Sequence, residues 1–161
     1  MSPDEITISI PRPDDSQDLF SLSENIELFN SDDLKTIKEL WTEFSTQKEN
    51  SWYHFLIARI EDEMCGFACY GRRPLTESTF DLYWVGVGQQ FQGKGIGKQL
   101  LARVEQDIRL LGGSLLIIET EGKPLYEPTR QFYLHAGCEL GARIRDFYSR
   151  GNDLYIFTKY L

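Results

Sequence analysis

The stretch VGVGQQFQGKGIGKQLL, Val85 to Leu101, sets five glycines and two lysines between an extended run and a strongly periodic segment. Glycines so closely spaced oppose a regular element across the whole stretch, because each weakens a helix or strand interior. The pattern reads as strand, loop and helix N-terminus, an arrangement in which backbone N–H groups converge on an anion. A merely flexible connection is the plain alternative, and the interleaved lysines and periodic helix argue against it. Gly88 to Lys94 fits the first seven positions of the nucleotide P-loop, G-x-x-x-x-G-K-[ST], but Gly95 occupies the eighth, where a hydroxyl must reach Mg²⁺. Only 67 residues follow Lys94, too few for the strands and helices such a site requires. The dinucleotide fingerprint fails as well, since Gly93 to Gly97 reads G-x-G-x-G, one residue short.

The chain has 161 residues, of which 41% are hydrophobic, so a single domain over 1–161 with a substantial core is expected. Its net charge of −8 is uneven. Residues 1–64 carry 5 basic and 15 acidic side chains, whereas 65–161 carry 12 and 10. That balance argues against nucleic-acid binding and makes the C-terminal part the better place for a polyanionic ligand. The opening MSPDEITISIPRP lacks the basic region and apolar core of a leader, and no apolar run is long enough to span a bilayer. A cytoplasmic protein without membrane association is expected. Cys65, Cys69 and Cys138, with only His54 and His135 to help, read as buried thiols and not as a metal site.

Alternation over Glu5–Ile10 predicts a first strand, and DLFSLSENI a short helix. Asn30 or Ser31 caps the next helix, whose Leu34, Ile37, Leu40, Trp41 and Phe44 share a face. WYHFLIARI, MCGFACYG and FDLYWVGV form an antiparallel meander. A helix from about Gly95 to Leu111 buries Leu100, Leu101, Val104, Ile108 and Leu111 before Gly112-Gly113 ends it. SLLIIET is a buried strand, Pro128 opens a helix closed by Gly137, and CELGARIRDF and DLYIFTKY are joined by the turn SRGN. The order βααβββαβαββ predicts an α+β fold: a mixed, mostly antiparallel sheet of about seven strands flanked by about four helices, with a central β-loop-α-β unit. Gly86 is expected to mark a bulge, and the final strand is a candidate exposed edge for pairing with a second copy.

In this order, and in two motifs, the chain resembles the GNAT superfamily of N-acyltransferases along nearly its whole length. The family's pyrophosphate signature, [RQ]-x-x-G-x-[GA], is met by Gln92-Gly93-Lys94-Gly95-Ile96-Gly97, directly after a strand. Its aromatic-Tyr pair followed by Gly at a helix end is met by Phe132-Tyr133 and Gly137. FDLYWVGV, IIET, YEPTRQFY and RIRDFYSRGNDLYIFTK are similar to a bacterial-type subgroup of small stand-alone members.

The resemblance implies that the loop holds the pyrophosphate of coenzyme A through backbone N–H groups of residues 93 to 98, with glycine admitting close approach. Lys94 and Lys98 either add attraction or are simply solvated. Val85, Gly86 and Val87 would hold the pantetheine arm by their main chain. The implied reaction moves an acetyl group from acetyl-CoA to a primary amine, by direct attack in a ternary complex and without a metal. Because an alkylamine is mostly protonated at pH 7, a general base is required. Asp81 and Glu119 are the candidates, each with a plain structural role as its alternative. Tyr133 stands where the family places the acid that protonates the leaving thiolate; its alternative is an anchor for the helix. Tyr126 stands where family members often carry Asn, which removes a usual cofactor contact and places Tyr126 in the acceptor pocket instead. Tyr83, Trp84, Phe147 and Tyr148 are the other expected acceptor-site walls.

The expected acceptor is a small-molecule amine or a peptide or protein amine, with a cationic one favoured by the acidic N-terminal part. The expected assembly is a monomer or homodimer. A catalytically weak acyl-CoA-binding sensor on the same fold is the alternative function. A Cys138–His135 nucleophile pair is rejected, because a helix end and its cap direct the two apart.

Overall fold

The computed structural model describes residues 5–161, so Met1–Asp4 of the segment read against a leader lie outside the described residues. Seven strands form one sheet: β1 (Ile6–Ser9), β2 (Tyr53–Ile60), β3 (Glu63–Arg72), β4 (Thr79–Val87), β5 (Leu115–Glu121), β6 (Glu139–Ser149) and β7 (Asn152–Tyr160). Four helices, α1 (Ser16–Glu24), α2 (Ser31–Gln47), α3 (Ile96–Leu110) and α4 (Glu127–His135), cover it. The spatial order is β1-β2-β3-β4-β5-β7-β6, and β4–β5 is the one parallel pair among the pairings found. Among the described residues, no helix is long and apolar enough to cross a membrane.

Strand alternation divides the core into two layers. Leu56, Ala68, Phe80, Leu82, Leu116 and Ile118 pack beneath Leu100, Leu101, Val104 and Ile108 of α3 and Tyr133 of α4. On the opposite face Phe55, Ile57, Phe67 and Cys69 meet Leu19 and Leu22 of α1 and Ile37 and Trp41 of α2. Leu111 falls outside the buried stripe: it follows the last helical residue and is 46% exposed. At the start of α2, Asn30 accepts from the Asp33 backbone N–H while Asp33 accepts from that of Asn30, a reciprocal capping box.

Two expectations about strand geometry are corrected. The bulge is at Tyr83, which has no partner between Cys69–Trp84 and Tyr70–Leu82. Gly86 instead answers a close approach, since a Cβ there would stand 2.7 Å from the Phe67 ring and 2.8 Å from Ile26. The final strand, β7, is interior, flanked by β5 and β6. The edge at this end of the sheet is β6, whose eleven residues are all exposed.

The bulge has a consequence for the site. β4 and β5 pair over Thr79–Leu82 and Leu115–Ile118 only, and pairing ceases where Tyr83 is inserted. A bulge increases local twist and bends its strand, which peels β4 away from β5. Beyond that point β4 remains on β3 to Val87 and β5 remains on β7 to Glu121, so the sheet opens between them.

Asp15, ahead of α1, and Arg59 of β2 form an ion pair whose side chains are 6% and 5% exposed. Burial opposes the Asp15 charge, but the hydrogen bonds from Arg59 and the Arg12 N–H, with both guanidinium charges, outweigh it and hold the carboxyl below its ordinary value. The group therefore contributes stability in full above about pH 4, and that contribution is lost as the pH falls through the lowered folded-state value. Arg59→Met leaves a buried carboxylate unpaired and is expected to lower unfolding free energy by roughly 3–5 kcal/mol in urea. Adding Asp15→Leu should recover most of it; a double variant as unstable as the single one would contradict this account.

Candidate active site

The open region between β4 and β5 is a cleft of about 650 Å³. Val85 and Trp84 line it from β4, Ile117 and Thr120 from β5, and Tyr133 from α4. The next turn along β4 leads into the glycine loop. After a short helical turn at Gln89–Phe91, Gly93 and Gly95 adopt φ of +82° and +79°, and Gly95 is the N-cap of α3 with no side-chain cap. Those two angles are the reason for glycine at both places, since other residues resist the left-handed region. A Cβ at either would meet no atom of the described residues within 4 Å. This differs from Gly97, whose Cβ would lie 3.5 Å from the Phe132 ring.

Among the described residues, the backbone N–H groups of Gly93, Gly95, Ile96, Gly97 and Lys98 have no acceptor. Five outward donors at the positive end of a 15-residue helix, with Lys98 exposed in its first turn, fit a phosphate or pyrophosphate group.

The two candidate carboxylates differ. Asp81 is 8% exposed and accepts a 2.9 Å hydrogen bond from Arg73 Nη1. Glu119 is an exposed residue lining the cleft, with its Oε1 3.9 Å from the same Arg73 nitrogen. Asp81 is thus committed to an ion pair, while Glu119 has only a marginal contact and faces the opening. Period-2 alternation explains their common face: Asp81 and Glu119 lie opposite to Phe80, Leu82 and Ile118, which enter the α3 layer.

Tyr133 is 6% exposed, and its hydroxyl has no hydrogen-bond partner among the described residues. Since no buried polar atom is left unsatisfied, that hydroxyl reaches the cleft its residue lines. Burial, with a smaller contribution from Cys138, raises its pKa, so the phenol keeps its proton at neutral pH. Thr120, 7% exposed, shows the same combination of burial, cleft lining and an unpartnered hydroxyl.

Of the expected acceptor walls, Tyr83, Trp84, Tyr126 and Tyr148 line the cleft. Phe147 does not; it is 54% exposed and packs edge-on against Tyr148. Tyr126 donates to the Leu28 carbonyl at 3.1 Å, tying the segment before α4 to the connection between α1 and α2. His135 Nδ1 lies 2.7 Å from the Gln131 carbonyl on an exposed surface, whereas Cys138 is buried.

Among the cleft residues not anticipated as site residues are Arg73, Asp33, Thr120 and Glu121. Arg73 comes from the β3–β4 loop, where nothing local marks it. Asp33 was legible only as a capping residue. Glu121 had a signal, because it shares a strand face with Glu119.

The family model described as the acetyltransferase (GNAT) family matches residues 18–137, which include the meander, the glycine loop and the Tyr133 helix. The chain belongs to the GNAT acetyltransferase family. No curated protein sequence matches it. A GNAT-family structure from Desulfovibrio desulfuricans is similar over 97% of this chain and 99% of its own, at 37% identity and a TM-score of 0.93. Two more distant structures share the GNAT fold. PaiA N-acetyltransferase from Thermoplasma acidophilum, in complex with coenzyme A, is 17% identical with a TM-score of 0.76, over 98% of this chain and 99% of its own. YncA from Salmonella typhimurium, with its cofactor acetyl-CoA, is also 17% identical with a TM-score of 0.76, over 98% and 94%. The chain is therefore an N-acetyltransferase.

Proposed function

We propose that this GNAT protein transfers the acetyl group of acetyl-CoA to a primary amine by direct attack within a ternary complex. The observation that carries this reading is the opening of the sheet at Tyr83. It places Glu119, the Tyr133 hydroxyl and the strand leading into the donor loop around one cleft. The cofactor complexes of two fold relatives support the choice of co-substrate.

When bound, the thioester supplies the activated acetyl group. Gln92, Gly93, Lys94, Gly95, Ile96, Gly97 and Lys98 would hold the pyrophosphate, chiefly through main-chain N–H groups, and Val85, Gly86 and Val87 the pantetheine arm. This second assignment rests on the edge of β4 that β5 has vacated, where backbone groups are free to bond a ligand. Glu119 takes the ammonium proton, directly or through water. In the exchange one N–C bond forms and one C–S bond breaks; the Tyr133 hydroxyl gives its proton to the departing sulfur, and the second proton lost by the acylated nitrogen returns through water to the Tyr133 oxygen. Asp81 positions Arg73, whose guanidinium stands 3.9 Å from Glu119.

Glu119→Gln is expected to lower kcat by about 100-fold or more while acetyl-CoA binding in calorimetry is retained. Asp81→Asn should cost less than Glu119→Gln, because its loss is felt through Arg73. Undiminished turnover in Glu119→Gln would remove that residue from proton transfer. A binding-only module would bind acetyl-CoA and give no turnover with any amine.

A further inference from the structure

We infer that the acceptor is an amine bearing a second positive charge, whose distal cation is held by Asp33 and Glu121 while its reacting nitrogen lies at Glu119. The inference rests on the acyl-transfer reading for the role of the reacting end, and on the cleft itself for the rest.

Four carboxylates line the cleft, Asp33, Asp81, Glu119 and Glu121, against one lining cation, Arg73. Arg73 is engaged by Asp81 at 2.9 Å and stands 3.9 Å from Glu119. No cation of the lining pairs with Asp33 or Glu121, although the Tyr126 hydroxyl interacts with Glu121. Glu121 accepts from Asn152 at 2.6 Å and lies 3.8 Å from Lys123, which is itself outside the lining. Asp33 accepts one backbone N–H, from Asn30. Burial, then repulsion from Glu121 and Asp32, holds the Asp33 carboxyl above its ordinary value despite that bond. Asp33, Glu119, Glu121 and Tyr148 line the same cleft, and burial, with the three negative charges, pushes the Tyr148 hydroxyl up to about 12. A cation entering there relieves repulsion that a neutral or anionic ligand would leave or worsen.

Independently of charge, the cleft is built to hold a ligand. Thr120 and Tyr133 are each more than nine-tenths buried, yet their hydroxyls are unpartnered and open to it. Each hydroxyl can be reached from the cleft and offers a ligand both a donor and an acceptor. Spacing then sets the length of the occupant. Glu119 and Glu121 share one face of β5, two residues apart, which puts their stems roughly 7 Å from each other. An extended diamine with a four- or five-carbon chain spans that distance, and Tyr126 and Tyr148 wall the path of its methylenes.

The test titrates the full protein calorimetrically with three probes of equal length: pentylamine, 1,5-diaminopentane and 5-aminopentanoate. The diamine is expected to bind about tenfold or more tighter than pentylamine, and the aminopentanoate more weakly than either. Asp33→Asn and Glu121→Gln should each reduce the diamine toward the affinity of pentylamine. Both retain the oxygen that accepts from Asn30 or Asn152, and unchanged thermal melting would confirm that the fold is intact. Equal affinity for the three probes, no diamine binding, or a preference that survives both substitutions would overturn the inference. Acetylation with acetyl-CoA is followed in parallel. Tight diamine binding without transfer to any amine would overturn the acyl-transfer reading and leave the subsite standing. Transfer to pentylamine and diamine with equal kcat/KM would overturn the subsite alone.

Discussion

Gly95→Val is expected to weaken acetyl-CoA binding by on the order of 100-fold or more in a calorimetric titration. The backbone at this position has φ +79°, which costs a side-chain-bearing residue roughly 1–2 kcal/mol, and a β-branched one is among the least tolerant. Relaxing that strain rotates the loop, and with it the N–H groups of Gly95 and Ile96 that have no acceptor within the described chain. Hydrogen bonds to a charged phosphate are worth about 1.5–3 kcal/mol each, so losing one or two accounts for the expected factor. Gly112→Val is the control. Gly112 also has positive φ, +82°, and also has open space where a Cβ would stand, but it lies past the other end of α3. It should lower stability by a similar amount and leave cofactor affinity alone. Undiminished affinity in Gly95→Val would show that the phosphate lies elsewhere.

Tyr133→Phe is expected to lower kcat by about 10²–10⁴-fold with little change in cofactor affinity, if its hydroxyl supplies the proton to the leaving sulfur. The substitution separates the two roles that Tyr133 could have. The ring packs against Phe132 and Phe157, with centroids 5.3 and 5.9 Å away, and phenylalanine keeps those contacts. The hydroxyl has no partner among the described residues, so removing it breaks no hydrogen bond found in the core. Stability should therefore move by less than about 1 kcal/mol. A variant with undiminished turnover and an intact fold would identify Tyr133 as an anchor alone.

Much of this was legible in the residues because the signals are local. The strand over Ile6–Ser9, the Asn30 cap and the helix from Ile96 to Leu110 each follow from periodicity and capping within a few positions. The donor loop is legible for the same reason: Gly93, Gly95 and the start of α3 are contiguous, and their chemistry is that of the backbone. What failed was pairwise. Gly86 carries the usual mark of a bulge, but register with β3 puts the extra residue at Tyr83. The last strand in the chain is not the last in the sheet, because β7 inserts between β5 and β6.

The cleft shows the same division. Asp81, Glu119 and Tyr133 were recoverable as candidates, since each stands at a recognisable place in a strand or helix. Their ranking was not, because it depends on Arg73, which reaches Asp81 from a loop and leaves Glu119 the more available. Asp33 and Glu121 belong to one acidic end although 88 residues separate them in the chain. By itself, the sequence determined the elements, their order and the glycine loop that opens α3, all of which arise from interactions within one turn or one strand. Only the tertiary structure decided where the sheet opens, which carboxylate is free and what charge the cleft presents, because those properties are set by strand register and by the electrostatics of side chains distant in sequence.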